Sequence, residues 1–402
     1  MAISGDSSDP GSIFRQYIVG SLQMSLSRVN EAGVTLPEST RVQALHVLDH
    51  AFRIAEAWPD TRALLLAMSP QMEQGGNWRE WVTYLKEGIV HSRPSKDQDA
   101  EAAFNHHLGI LYRLLGEYAQ ARTCFVSSVV HFKRQNDTPQ LAQTLNQLAY
   151  LYCLQSQYTQ SGNIVCVVER LLGETDTELA NCHLIRGMIA YDYRNWHDAV
   201  SHFQHALRIW ERIGNKREVA RNLRNLGAAW NSIGQHQKSV TYYSQALILF
   251  QEVDDPVLHA SIKMNLGIAY FSQGQNQKAR ELYNEIEPTF HQVQAKLPLA
   301  RLQTNQAQTH RKLHEWEMAK HVCISSIKLW QELGNTRWAV NAMDELGLIY
   351  KEQGEQQKAV ETFEKALKQL EQIEGSPNYQ RLFELLERHL EETKKDIEHQ
   401  QI

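Results

Sequence analysis

The chain has 402 residues, 42% of them hydrophobic and 22% charged, enough apolar material for a large core and too much for a disordered chain. Forty-one Lys and Arg against 46 Asp and Glu give a formal charge of −5, which excludes a global basic field for gathering nucleic acid or anionic lipid. Apolar runs such as Ala63–Met68 are too short to span a bilayer, and five scattered cysteines without a CxxC fit a reduced cytoplasm, with the thiols acting as small core residues.

The opening residues, MAISGDSSDPGS, have neither a basic nor an apolar region of the secretory type, and residues 1–11 are expected to be a disordered tail. Residues 12–58 are expected to form an amino-terminal helical hairpin, Ile13–Asn30 and Ser39–Ala57, split at Gly33 and Pro37. From there the chain repeats. A small residue recurs at 109, 149, 187, 227, 267, 307 and 347, in steps of 40, 38, 40, 40, 40 and 40. An aromatic or His follows three residues later at six of these (Tyr112, Tyr152, Trp230, Tyr270, His310, Tyr350), and a turn glycine seven later at four. Gly76 and Trp78 mark a weaker copy upstream.

Within each unit, apolar residues fall three and four apart on two successive stretches, as in Leu223, Leu226, Ala229, Trp230 and then Val240, Tyr243, Leu247, Phe250. The small residue lets the paired helix approach, the turn glycine takes a left-handed cap, and Pro139, Pro256 and Pro298 lie near helix starts. No alternating strand pattern is present. The fold class is all-α: a solenoid of helical hairpins over 59–373, with a degenerate first unit at 59–95 and seven clear units over 97–373. Residues 374–402 are expected to cap the array with one amphipathic helix that turns Leu382, Leu386, Leu390 and Ile397 inward. Trp58, Trp78 and Trp81 are expected to seal the joint between the amino-terminal helices and the array.

The line LGxxYxxxGxxxxA followed by Y/FxxAL resembles the tetratricopeptide repeat, here with long units of about 40 residues. Stretches such as GNKREVARNLRNLGAAWNSIGQ resemble the right-handed arrays attached to bacterial NB-ARC/STAND-type signalling ATPases, although no GxxxxGK[ST] motif is present. The resemblance implies a protein-binding groove lined by the first helix of each hairpin, with ligand-contacting positions six, three and two residues before the small anchor and one and four after it. Two before the anchor stand His107, Gln147, Ile185, Asn225, Asn265, Asn305 and Glu345. The run of three asparagines is expected to face away from the partner helix and to hold a peptide backbone, since Asn both donates and accepts; kinesin-light-chain-like arrays use Asn in this way. Six before the anchor stand Ala103, Gln143, Asn181, Arg221, Ser261, Arg301 and Asn341. Together, Arg221, Asn225, Asn265, Arg301 and Asn305 are similar to the carboxylate clamp of chaperone-binding members, with Arg replacing Lys, and Arg224 and Arg311 add positive charge. The expected ligand is therefore an extended, acidic peptide segment of a protein partner; a solvated polar face without a ligand is the competing reading. His106, His107, Ile110 and Arg113 line the first unit, Leu184, Ile185, Met188 and Tyr191 the third, and Asp344 and Glu345 make the seventh acidic.

No catalytic signature is present, so no enzyme and no cofactor are expected. The helical pairs His46/His50, His202/His205 and His310/His314 each supply two ligands where a metal site needs three or four, so no metal site is expected; His310 is read as an interhelix packing residue. The expected function is a non-enzymatic scaffold or sensor. The alternatives are a peptide-sensing regulator resembling the Rap-type quorum proteins, with residues 12–57 as output element, and the recognition arm of a bacterial signalling or defence complex whose effector is on another chain.

Overall fold

A computed structural model describes residues 10–32, 36–172, 177–250, 253, 255–376 and 378–400. Among these, 19 α-helices and two short 3-10 turns form the chain, and no strand occurs. Helices α1 (Pro10–Glu31) and α2 (Glu38–Ala51) make the amino-terminal hairpin. Pro10 and Gly11 are thus helical where a tail was expected, and residues 1–9 lie outside the described residues. Helix α2 also stops six residues short of expectation: Ile54 turns to extended backbone (φ −120°, ψ 103°) before a 3-10 turn at Ala55–Ala57.

Eight hairpins follow: α3 (Trp58–Gln74) with α4 (Trp78–Ser92), α5 (Gln98–Leu114) with α6 (Tyr118–Gln135), α7 (Thr138–Leu154) with α8 (Tyr158–Leu171), and α9 (Glu178–Asp192) with α10 (Trp196–Ile213). The series continues with α11 (Lys216–Ser232) and α12 (His236–Leu249), α13 (Pro256–Ser272) and α14 (Asn276–Gln292), α15 (Lys296–Lys312) and α16 (Trp316–Glu332), and α17 (Thr336–Gln353) and α18 (Gln356–Leu370). Helix α19 (Tyr379–Gln400) closes the array, burying Leu382 and Leu386 against Phe363 and Leu370.

The small anchor has a direct steric cause. A Cβ on Gly227 would stand 2.5 Å from the Tyr243 ring, and one on Gly267 would overlap the Tyr283 ring. The aromatic 16 residues on sets the Cδ1–Cε1–Cζ edge of its ring against the bare backbone, so the two helix axes close up. In the unit where the anchor is Ala307, the facing residue in the same core cluster is the smaller Cys323. Volume is conserved across the pair, as close packing requires.

The turn seven residues after each anchor is left-handed in all seven units: Gly116, Gly234, Gly274 and Gly354, but also Ser156, Arg194 and His314 (φ 61°, 65° and 59°). The turn geometry is set by the hairpin, and three units adopt it with residues that tolerate it less well.

The contacts divide the chain into two units. Unit 1 comprises 1–112, 119–144 and 253–255; unit 2 comprises 113–118, 145–252 and 256–402. In unit 1, Trp78 and Trp81 are buried, Trp81 donates to Ser69 Oγ (3.2 Å), and the Trp58 indole donates to Asp97 (3.0 Å). These are the residues expected to seal the start of the array.

Candidate ligand-binding face

Unit 2 returns on itself. Arg337, in the first turn of α17, places Nη2 3.1 Å from Asp192 Oδ1 at the end of α9; Tyr158 donates its hydroxyl to the other Asp192 oxygen (2.8 Å), and Asn378 donates to the Asp192 carbonyl (3.4 Å). Asn335, the N-cap of α17, accepts from Trp338 N–H and donates to Leu154 O (3.2 Å). Leu333 packs against Gly116, where a Cβ would stand 2.5 Å from its methyl group. These contacts join the start of α17 and the approach to α19 to α7, α8 and α9 across up to 186 sequence positions.

Cations gather beside this seam, where Arg301 and Arg337 both act on the Tyr191 phenol. Arg221 and Arg224 come from α11, Arg301 from α15, and Arg113 stacks over the Tyr150 ring at 4.9 Å. Arg221 pairs with Glu218 (2.7 Å) and donates to Asn181 Oδ1 (3.3 Å). Arg224 donates to Asn225 Oδ1 (3.2 Å). Burial holds the Arg224 guanidinium below its usual range; Tyr150 opposes this, while Arg301 and Arg221 reinforce it by like-charge repulsion. Among the described residues no carboxylate pairs with Arg224 or Arg301. The Nε atoms of Arg221 and Arg301 are buried without a hydrogen-bond partner. Burial drives the Tyr118 hydroxyl up to about 12, while Arg301 and Arg113 pull it the other way, so this phenol borders the same cluster.

The sequence-selected residues divide accordingly. Arg221, Arg224, Asn225 and Arg301 come together in unit 2. Gln147 and Asn305 are half-buried there, and their side chains make no hydrogen bond among the described residues. Asn265 is half-buried and lies close enough to Tyr243 of the preceding hairpin to lower its phenol slightly against the upward push of burial.

Arg311 is a correction. It is buried, with Nε 2.5 Å from Glu345 Oε1 and Nη1 on Glu352, so it ties α15 to α17. Its charge is neutralised within the fold. The acidic seventh unit disappears for the same reason, since Glu345 is used by Arg311 and Asp344 sits 2.7 Å from His389 Nδ1 on α19. His107, in unit 1, pairs with Glu73 (2.7 Å), and His106 is buried on Thr144 (2.9 Å). Leu184 and Ile185 are 2% and 1% exposed and belong to the core. His310 is buried as expected for a packing position, 2.5 Å from Glu315.

The tetratricopeptide repeat family model matches residues 178–247, 231–289 and 298–372. These segments are tetratricopeptide repeats. No curated protein matches the chain. Among solved structures, the apo form of the quorum sensor NprR from B. thuringiensis is 12% identical, aligning 80% of this chain with 89% of that one at a TM-score of 0.56. A Rap protein complexed with Competence and Sporulation Factor is 13% identical, over 84% of this chain and 99% of that one, with a TM-score of 0.53. NprR in complex with its cognate peptide NprX is 14% identical over 70% and 87%, with a TM-score of 0.50. At these identities the likeness is one of fold.

Sequence reasoning on the repeats missed Arg337, Asp192, Tyr158 and Asn378. Arg337 stands ten residues before its anchor, outside every column that the repeat pattern marks. A signal was nevertheless present: hairpins that stack with a constant rotation return to their starting direction after enough units.

Proposed function

We propose that this protein is a non-enzymatic, cytoplasmic peptide-binding scaffold or sensor, whose tetratricopeptide repeats take an extended, carboxylate-bearing peptide segment on the cationic face of unit 2. The observation that carries this reading is the Arg224–Arg301 pair. Two guanidiniums are held close enough to oppose one another, half-buried, with no carboxylate partner among the described residues, and Arg301 keeps a buried Nε–H without an acceptor. Cations in this condition are stabilised by an incoming anion, and the planar fork of Arg suits a carboxylate. Asn225, Asn305 and Gln147 supply amides that can bind a peptide backbone whatever its sequence. Arg221 borders the site and is shared with Glu218. Peptide complexes among structures of similar fold support this class of ligand.

The seam made by Arg337 and Asp192 favours a sensor over a passive scaffold. A ligand held by Arg224 and Arg301 would sit beside Arg337, so binding and seam closure would be coupled. The reading as an arm of a signalling complex, with an effector on another chain, rests on the likeness of the repeat lines to ATPase-linked arrays.

The experiment is fluorescence anisotropy with labelled ten-residue peptides, acidic or neutral, each with a free or an amidated carboxy terminus. Acidic peptides should bind at least tenfold more tightly than neutral ones, and Arg224→Gln/Arg301→Gln should remove the difference. Equal binding of neutral and acidic peptides, or full binding by the double variant, would refute the reading.

A further inference from the structure

Three arginines meet at the seam of unit 2, and its carboxylates do not neutralise them. Asp192, at the end of α9, accepts from Arg337 Nη2 on its side chain (3.1 Å) and from the Asn378 amide on its carbonyl (3.4 Å). Arg194 follows Asp192 by two residues, in the turn between α9 and α10, and Arg381 follows Asn378 by three, in the first turn of α19. We propose that Arg194, Arg337 and Arg381 form a binding site for a phosphoryl group.

The first argument is position. The two contacts on Asp192 fix the α9–α10 turn against the starts of α17 and α19, so the three arginines arise from adjoining backbone. Burial, then the like charges of Arg194 and Arg337, hold the Arg381 guanidinium below its ordinary range, while Asp344 opposes them. Arg194 also occupies the turn position that is glycine in four of the seven units. The chain keeps the left-handed backbone there (φ 65°) and gives a glycine-type position to a cation.

The second argument is the state of the N–H donors. Arg194 lies over the Trp196 ring and Arg337 over the Trp338 ring, each with Cζ 5.1 Å from the centroid. Stacking uses the face of a guanidinium and leaves the N–H groups in its plane able to donate. Arg337 commits Nη2 to Asp192, and its Nε is buried without an acceptor. Arg194 and Arg381 are exposed, and their guanidiniums make no hydrogen bond and no ion pair among the described residues.

The third argument is charge. Both Asp192 oxygens are occupied, by Arg337 and by the Tyr158 hydroxyl (2.8 Å), and Asp344 sits 2.7 Å from His389 Nδ1. The first turn of α19 carries no acidic residue, so the positive end of that helix adds to the field. A phosphoryl group brings three acceptor oxygens and a charge of about −1.5 to −2, enough for three guanidiniums, where a carboxylate brings two oxygens and one charge. A group bridging these arginines ties the α9–α10 turn to α17 and α19, and so holds the seam closed.

The test is isothermal titration of the full chain at pH 7.5, in chloride buffer of constant ionic strength, with inorganic phosphate and with a capped Ala-phosphoserine-Ala tripeptide. The wild type should bind one of either per chain in the submillimolar range. Arg194→Gln and Arg381→Gln should each weaken binding at least fivefold, and the double variant should abolish it. Arg388→Gln, two turns further along α19, changes the net charge equally and should leave binding unchanged. Tighter binding of the tripeptide would support the site with a phosphorylated protein segment as its source, and tighter binding of inorganic phosphate would support it with the free ion. Should a variant fail to fold, protection of Arg194 and Arg381 from phenylglyoxal by phosphate in the wild type, read by mass spectrometry, provides the same decision. Undiminished binding in the Arg194→Gln/Arg381→Gln variant, equal weakening by Arg388→Gln, or modification of both arginines at the same rate with and without phosphate would overturn the proposal. Binding lost only in Arg224→Gln/Arg301→Gln would place the anion on the peptide face and overturn it as well.

Discussion

Arg337 on α17 and Asp192 on α9, 145 positions apart, are joined by a 3.1 Å contact between Nη2 and Oδ1. Asp192 takes Tyr158 on its second oxygen and Asn378 on its carbonyl, and so serves as the hub of the seam in unit 2. The side chains of Arg337 and Asp192 are 11% and 22% exposed, which places the pair nearer to the buried class than to the surface one. Breaking a buried pair by removing one partner leaves the other charge stranded, at a cost of about 3–5 kcal/mol. Asp192→Asn is therefore expected to destabilise the protein by about 2–4 kcal/mol in urea unfolding, somewhat below that range because part of the pair is wet. Small-angle scattering should show a larger radius of gyration in the variant. An unchanged radius would mean that the remaining seam contacts hold the hairpins without the ion pair.

The contrast between two arginines tests where the ligand sits. Arg301→Gln removes a cation that has no carboxylate partner among the described residues, and stability should stay within about 0.5 kcal/mol of wild type or rise, while peptide binding falls. Arg311→Gln strands the buried Glu345, whose carboxyl burial already pushes upward against the pull of Arg311. That variant should lose about 3–5 kcal/mol in thermal or urea unfolding. Equal stability losses for the two variants would show that Arg301 is as structural as Arg311.

The Gly267–Tyr283 contact predicts a compensating pair. Gly267→Ala should destabilise by about 1–3 kcal/mol through overpacking against the ring, and Gly267→Leu by more. Combined with Tyr283→Cys, which reproduces the Ala307–Cys323 arrangement of the sixth clear unit, the alanine should add little further loss. A double-mutant cycle should therefore give a favourable coupling of about 1 kcal/mol or more. Additive effects would mean that the ring and the backbone do not share one space.

His314 is exposed and left-handed, at the position that carries glycine in four of the seven turns. His314→Gly relieves about 1 kcal/mol of backbone strain, partly offset by loss of the edge contact with Trp316. A net gain of about 0.5 kcal/mol, seen as a higher midpoint in urea, is expected.

Stability should also depend on pH through His183. Its folded value of about 4, set by burial and then by His202 and His205, lies below the ordinary 6.5 of an unfolded chain. The unfolded state consequently binds more protons between these values, and stability falls as pH is lowered from about 6.5 toward about 4. The burial-lowered His202 and His259 act in the same direction. Chemical unfolding at pH 7.5, 6 and 5 should show the decline, and His183→Gln should make it shallower. A profile unaltered by that substitution would assign the decline to other groups.

The sequence by itself determined the hairpins. A small residue every 40 positions, with an aromatic 16 residues on in most units, encodes one local packing event, and Gly227 over Tyr243 is that event in space. It also selected Arg221, Arg224, Asn225 and Arg301, because residues at equal offsets from the anchor share a helix face and stacked hairpins bring those faces together. The tertiary structure alone decided which polar groups remain available. Arg311 and Arg301 both lie on the same helix, yet among the described residues one meets two glutamates from α17 and the other meets none. It also decided what α9 and α10 meet. Asp192 with Arg337, and His183 with His202 and His205, depend on helix rotation and on the path of the chain between hairpins, and a repeat register records the period of that path without its accumulated angle.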